Sequence, residues 1–145
     1  MRQNYLQHFE DYLRAQRLKL TEQRRLIADA FFQKKGHVSA EELYRHIQKE
    51  IPSIGFATVY RTLKLLAGAG LATGKNFGDG FVRFECCSRN NGHHDHLICT
   101  KCGKIIEFVN PHIEKMQETV AREHGFRIID HSLDIYGICR ECAQK

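Results

Sequence analysis

The chain has 145 residues, 42% hydrophobic and 27% charged, an ordinary globular balance that suits one compact domain or two very small ones. No run approaches the roughly 20 apolar residues needed to span a bilayer, and Met1-Arg2-Gln3-Asn4-Tyr5 lacks the apolar centre of a signal peptide, so the reading is a cytoplasmic protein with no membrane partner. The net charge of +5 is unevenly placed: residues 1–86 hold 14 Lys and Arg against 9 Asp and Glu, whereas residues 87–145 hold 8 of each. A basic half suits a phosphate backbone, although the same charge could be a solvated surface with no partner.

The first 70 residues read as helices. Tyr5, Phe9, Tyr12 and Leu13 recur with helical spacing. Thr21 can cap a second helix containing Leu26, Ile27, Ala30 and Phe31, with Gly36 as its stop. Ser39-Ala40-Glu41-Glu42 has the form of a capping box for a third helix, which Pro52 ends. A fourth helix is expected from about Ala57 to Ala69. Its inner face is Val59, Leu63 and Leu66, and its outer face Ala57, Arg61 and Lys64, flanked by Thr58 and Tyr60.

The period then changes. Leu71–Phe77 and Phe81–Cys86 read as two strands joined by Gly78-Asp79-Gly80, a hairpin signal. Helix, turn, helix and hairpin in that order is the layout of a winged helix. Small residues beside Arg61 and Tyr60 would let the fourth helix enter a major groove, with Arg17, Lys19, Arg24 and Arg25 near enough in sequence to hold phosphates. From this helix alone, a solvated face explains the same pattern. Residues 87–92 are polar and turn-rich, a hinge candidate. Beyond it the expected order is strand His94–Cys99, strand Ile105–Phe108, helix Pro111–His124 and strand Phe126–Tyr136. The fold class is therefore α+β: a winged-helix DNA-binding domain over 1–86, the hinge over 87–92, and a small α/β unit over 93–145. A unit of that size is marginal without a metal, a partner subunit, or both.

Six cysteines in a cytosolic chain favour metal over disulfides. Cys99-Thr100-Lys101-Cys102-Gly103 is a CxxC knuckle, and Cys139-Arg140-Glu141-Cys142 is a second, with 36 residues between the pairs. Two such pairs supply a closed tetrahedral zinc site, structural rather than catalytic. A redox dithiol would instead open a helix after a strand, which neither pair is expected to do.

His93-His94-Asp95-His96 leads into the strand Leu97-Ile98-Cys99. Alternation sends His94 and His96 to one face and His93 and Asp95 to the other, so one strand can serve two metal sites. Each pair needs donors from elsewhere: His131, expected to face inward on its strand, Glu114, His37 and Glu85 are candidates. A solvated His-rich loop is the plain alternative.

Together these stretches resemble the ferric uptake regulator (Fur) family. The matching residues are His37-Val-Ser-Ala-Glu-Glu-Leu-Tyr44, Ile54-Gly-Phe-Ala-Thr-Val-Tyr-Arg-Thr-Leu63, and His93 through Phe108. His124-Gly125, His131-Ser132-Leu133 and the terminal CxxC complete the match. The resemblance implies a dimeric, metal-responsive repressor of metal-homeostasis genes that binds a palindromic DNA operator. Association of dimers into tetramers is left open. It implies structural Zn2+ at Cys99, Cys102, Cys139 and Cys142. It implies a regulatory site of His37, Glu85, His94 and His96, and a second site of His93, Asp95, Glu114 and His131, with Glu107 as an extra donor. It makes 93–145 the dimerisation and metal-binding domain. The family's DNA contacts carry over to Tyr60 and Arg61, with Lys19 as a minor-groove contact; Arg24, Ala57 and Thr58 join them from the reading of the helices themselves. Peroxide-sensing members carry Asp where this chain has Glu85, which favours Fe2+ as the regulatory metal, with Mn2+ or Zn2+ as alternatives. Cys86 and Cys87 depart from the pattern: they are either plain buried thiols or modifiers of metal choice. A metallohydrolase using the His-rich strand is the remote rival, and it would leave the basic helical half unexplained.

Overall fold

A computed structural model of the chain describes residues 2–87 and 94–144, with side chains from residue 5 onward. The expected hinge, Cys87 apart, and His93 lie outside the described residues. The chain divides into two compact units, Met1–Asn91 and Gly92–Lys145.

The first unit runs α1 (Arg2–Ala15), α2 (Glu22–Gln33), β1 (Val38–Ser39), α3 (Ala40–Glu50), α4 (Phe56–Gly68), β2 (Ala72–Asn76) and β3 (Val82–Cys86). The helix starts follow from their caps. Thr21 Oγ1 accepts from the Arg24 amide at 3.3 Å, and Ser39 and Glu42 form the full capping box, at 2.7 and 3.1 Å. Four apolar stripes then meet: Phe9 and Leu13 from α1, Ile27 and Phe31 from α2, Leu43 from α3, and Val59, Leu63 and Leu66 from α4, all 0–1% exposed. Phe84 of β3 closes this core from below. Such a core can hold the unit without help from the rest of the chain.

The wing is the antiparallel pair β2–β3. Its tip turns through Gly78 and Gly80, at φ 87° and 82°, where a side chain would be strained. Asn76 and Asp79 carboxamide and carboxylate oxygens accept from the amides of Gly78 and Phe81 and hold the turn. A third strand that the sequence does not announce, β1, pairs with β3 and gives the order β1-β3-β2. It is two residues long, and Ser39 both ends it and caps α3, so the helical signal masks it. α2 ends on Lys34 rather than at Gly36, and α4 begins one residue earlier than expected, on Gly55 as N-cap.

The second unit runs β4 (Asp95–Cys99), β5 (Ile105–Phe108), α5 (Pro111–Glu123), β6 (Asp134–Gly137) and α6 (Arg140–Ala143). Its sheet has the order β5-β4-β6, with β5 antiparallel and β6 parallel to the central β4. Asn110 caps α5 by accepting from the His112 amide, with Pro111 at the first helical position. The long strand expected over Phe126–Tyr136 is corrected to β6 alone. Residues 126–132 have no strand to pair with among the described residues, and Phe126 and Ile129 face out, 74% and 90% exposed; only at Leu133 does the backbone reach β4, its carbonyl accepting from the His96 amide at 3.0 Å. β propensity without a partner does not make a strand.

This unit buries little by itself. Among its described residues only Asp95, His96, Ile98 and Cys99 are buried, and no residue of α5 is. No helix among the described residues is long and apolar enough to cross a membrane.

Candidate metal centres and nucleic-acid interface

β4 and β5 are joined by the first cysteine knuckle. The second follows β6, and Cys139 is the N-cap of α6, so contrary to expectation this pair does open a helix after a strand; it is the convergence of four sulfurs, not the absence of a helix, that favours metal over a redox dithiol. The parallel β4–β6 ladder pairs Cys99 with Gly137, and so delivers Cys139 and Cys142 to Cys99 and Cys102. The four sulfurs lie within 4.8 Å of one another. The separation of Cys102 and Cys139 Sγ is 3.7 Å, against about 3.8 Å for two vertices of a tetrahedron with zinc–sulfur bonds of ~2.3 Å. The donor set therefore fits zinc.

Its electrostatics are uneven. The Cys139 amide donates to Cys99 Sγ at 3.3 Å, and amide donation from Cys139 and then Cys102 draws the Cys99 thiol down to about 6. Hydrogen bonding with the Cys102 and then the Cys139 sulfur pushes Cys142 up to about 12. One thiolate forms readily and the last resists, as expected where four sulfurs converge and a divalent cation would be the neutralising charge. Lys104 and Glu141, 2.7 Å apart at the surface, link the two knuckles.

β4 divides its side chains as alternation requires. On one face, the His94 and His96 rings meet edge-to-face at 5.0 Å. Glu107, expected as an extra donor to the second site, is instead the cross-strand neighbour of His96 on β5, because the β4–β5 register sets Phe108 opposite Asp95; Asp134 is the neighbour of His96 on β6. His96 is 4% exposed, and its Nδ1 donates to Asp134 Oδ1 at 3.0 Å. A carboxylate can only accept, so the proton sits on Nδ1 and Nε2 is the nitrogen offered for coordination. Asp134 is a functional candidate that the sequence does not reveal.

On the other face, Asp95 is wholly buried, and its carboxylate lies within 4.8 Å of donor atoms from Glu114 and His131. Glu114 Oε2 is 3.1 Å from His131 Nε2. The buried Asp95 carboxylate and the half-buried Glu114 carboxylate repel at this distance unless a cation lies between them, so the chemistry of the set fits a divalent ion. His131 reaches it from an irregular segment, not from a strand, which corrects the parity argument while leaving the residue in the cluster. His93, expected with them, lies outside the described residues.

In the first unit His37 and Glu85 come together, Nε2 to Oε2 at 3.4 Å, with side chains 6% and 16% exposed. The β1–β3 pairing brings them there: Val38 lies opposite Phe84, so His37 falls beside Glu85. His37 also packs edge-on against Phe77. Of the adjacent thiols, Cys86 belongs to the core and Cys87 is half-buried, 3.0 Å from Thr73 Oγ1.

α4 shows the expected faces. Val59, Leu63 and Leu66 are buried, whereas Ala57, Tyr60, Arg61 and Lys64 are exposed and Thr58 is half-buried. Thr62 is buried too, its hydroxyl donating to the Thr58 carbonyl at 2.7 Å. Lys19 is exposed, and Arg24 in the first turn of α2 donates to the Lys19 carbonyl, holding the two cationic residues together at the start of that helix.

A winged helix on one unit and a cysteine-bound, histidine-lined sheet on the other define a metal-responsive transcription regulator, not an enzyme. Residues 15–136 match the model of the Ferric uptake regulator family, and the chain belongs to that family. The Ferric uptake regulation protein of Campylobacter jejuni is 42% identical over 139 residues, covering 94% of this chain and 87% of that one. The solved Helicobacter pylori ferric uptake regulator Fur, described as having three functional metal binding sites, superposes with a TM-score of 0.89 at 28% identity, covering 99% of this chain and 94% of its own. A zinc-bound manganese uptake regulator superposes with a TM-score of 0.72 at 44% identity, covering 90% and 98%.

Proposed function

We propose that this protein is a cytoplasmic, homodimeric repressor of metal-homeostasis genes that responds to ferrous iron. Structural zinc occupies Cys99, Cys102, Cys139 and Cys142. The regulatory ion is shared by His37 and Glu85 of the first unit with His94 and His96 of the second, across a hinge at residues 87–92. His93, Asp95, Glu114 and His131 form the other site. The observation that carries the reading is the two-faced strand β4: a pair of imidazoles on one side and a carboxylate cluster on the other, in a unit already closed by four cysteines.

A bound divalent ion supplies one positive centre that four donors can satisfy together. His37 and Glu85 are already adjacent, and Asp134 fixes the His96 ring, so each unit offers a prearranged half. The halves can share an ion only when the units are drawn together. The ion shifts the equilibrium by its differential affinity for that arrangement, and moving from 1:99 to 99:1 takes about 5.5 kcal/mol. In a two-fold dimer this would space two α4 helices about one duplex turn, ~34–36 Å, along a palindromic operator. Lys19 and Arg24 would hold phosphates while Ala57, Thr58, Tyr60 and Arg61 face base edges. The exposed apolar side of α5, with Met116 and Val120, and Phe126 just beyond the helix, suits a second copy.

Imidazole and carboxylate donors accept iron, manganese, cobalt and zinc, so metal choice rests on kinship and on Glu85. Anaerobic operator binding titrated separately with Fe2+, Mn2+ and Zn2+ tests it. Iron should act at the lowest free concentration relative to its cellular level, and His94→Ala should abolish the metal dependence while leaving a folded dimer. Metal-dependent binding retained by His94→Ala would sink the shared-site model.

A further inference from the structure

An aromatic row leads across the first unit onto α4. Gln48 Nε2 of α3 donates to the Tyr44 hydroxyl at 2.7 Å. The Tyr44 ring stands edge-on to Phe56 at 5.8 Å and 84°, and Phe56 lies nearly parallel to Tyr60 at 6.4 Å and 21°. Both distances fall in the range where aromatic pairs attract. Phe56 and Tyr60 are one helical turn apart, so the second contact runs along the outer face of α4. Phe56 is 42% and Tyr60 41% exposed. An aromatic ring left this open on a helix start contributes little to the core. Gly55, the N-cap, brings no side chain to shield it.

We propose that Phe56 is a positioning residue for sequence reading: with Tyr44 behind it, its ring holds Tyr60 in one orientation before DNA arrives. The inference rests on the reading above, in which Tyr60 faces base edges. A tyrosine on an exposed helix face otherwise samples several rotamers, and ordering it on docking subtracts from binding. A ring already stacked avoids that loss, and it presents one fixed apolar edge. The chemistry that such an edge recognises in a major groove is the 5-methyl group of thymine. Tyr44 and Phe56 would then act through Tyr60 without touching the base.

The test uses a duplex selected by the wild-type protein, with Mn2+ present, from a random-sequence pool. Each thymine is replaced in turn by deoxyuridine, which lacks only the methyl group. At the position read by Tyr60 the wild type should lose about fourfold in affinity, the equivalent of ~0.8 kcal/mol for one methyl group removed from water. Tyr60→Ala should bind thymine and uracil duplexes equally there. Phe56→Ala should do nearly the same, with less than twofold discrimination, while its melting temperature and the salt dependence of binding stay near wild type. Phe56→Tyr, which keeps the ring, should restore discrimination. If Phe56→Ala proves unstable, Phe56→Leu carries the same comparison. Full discrimination in a folded Phe56→Ala or Phe56→Leu protein overturns the inference while leaving Tyr60 as the reader. Discrimination that persists in Tyr60→Ala, or is absent from the wild type at every thymine, overturns the role of Tyr60 and this inference with it.

Discussion

Replacing Asp134 should weaken the regulatory metal site without altering its ligands. Asp134 Oδ1 accepts from His96 Nδ1 at 3.0 Å, and the two side chains are only 19% and 5% exposed, so water screens the contact little. Removing such a carboxylate from behind a coordinating histidine typically costs 10–100-fold in metal affinity, about 1.4–2.7 kcal/mol. Asp134→Asn keeps an acceptor but loses the charge, and should fall near the tenfold end. Asp134→Ala loses both and should approach the hundredfold end. The backbone of β6 stays paired with β4 in either case, so the zinc content of the cysteine site serves as the internal control. Mn2+ affinity is measured by competition with a fluorescent chelator on the zinc-loaded dimer. By linkage, the Mn2+ concentration for half-maximal operator binding must rise by the same factor. An Asp134→Ala protein that binds Mn2+ as tightly as wild type, or one whose metal and operator shifts disagree, would refute the reasoning.

Zinc affinity should rise at least tenfold per pH unit between pH 7 and 9, because Cys142, held up to about 12, must still give up a proton to bind; a flat competition profile against a zinc chelator would contradict this. Below about pH 6 Cys99 regains its proton as well, so the slope should steepen to at least a hundredfold per unit. Cys99→Ser should lose zinc and melt the second unit while the helical core of the first persists, as seen by amide NMR signals; a zinc-free dimer with both units intact is the opposing outcome. Leu63→Ala, at a wholly buried position, should cost about 2–5 kcal/mol in urea unfolding, with most of the loss in midpoint and little in slope.

Much of this fold was legible because local chemistry and tertiary role agree. Thr21, the Ser39–Glu42 box and the Gly78–Gly80 turn each satisfy backbone groups in place, and the structure keeps all three. The CxxC pairs and the alternation along β4 were legible for the same reason: spacing alone settles which side chains share a face. Failure came where a partner decides. β1 exists only because β3 lies beside it, and 126–132 is no strand because no strand among the described residues pairs with it. Asp134 belongs to this class. It is an unremarked acid in sequence, and becomes the companion of His96 only through the parallel β4–β6 register. The Phe56–Tyr60 contact was within reach of an i, i+4 argument, but Tyr44 joins it through the packing of α3 on α4.

The cysteine quartet also imposes an order on synthesis. A nascent chain emerges from its N-terminus, and domains fold as they are released. Every residue of the first unit's core precedes Cys87, so the reading half can fold while the second is still being made. The proposed zinc cage cannot close until Cys142 has been translated, 40 residues after Cys102. During that interval the emerging sheet has neither its clasp nor its β6 strand, and the thiols of Cys99 and Cys102 are open to oxidants and to stray metal. If the quartet holds zinc as proposed, a chain made without that metal would have a finished first unit and an unclasped second one.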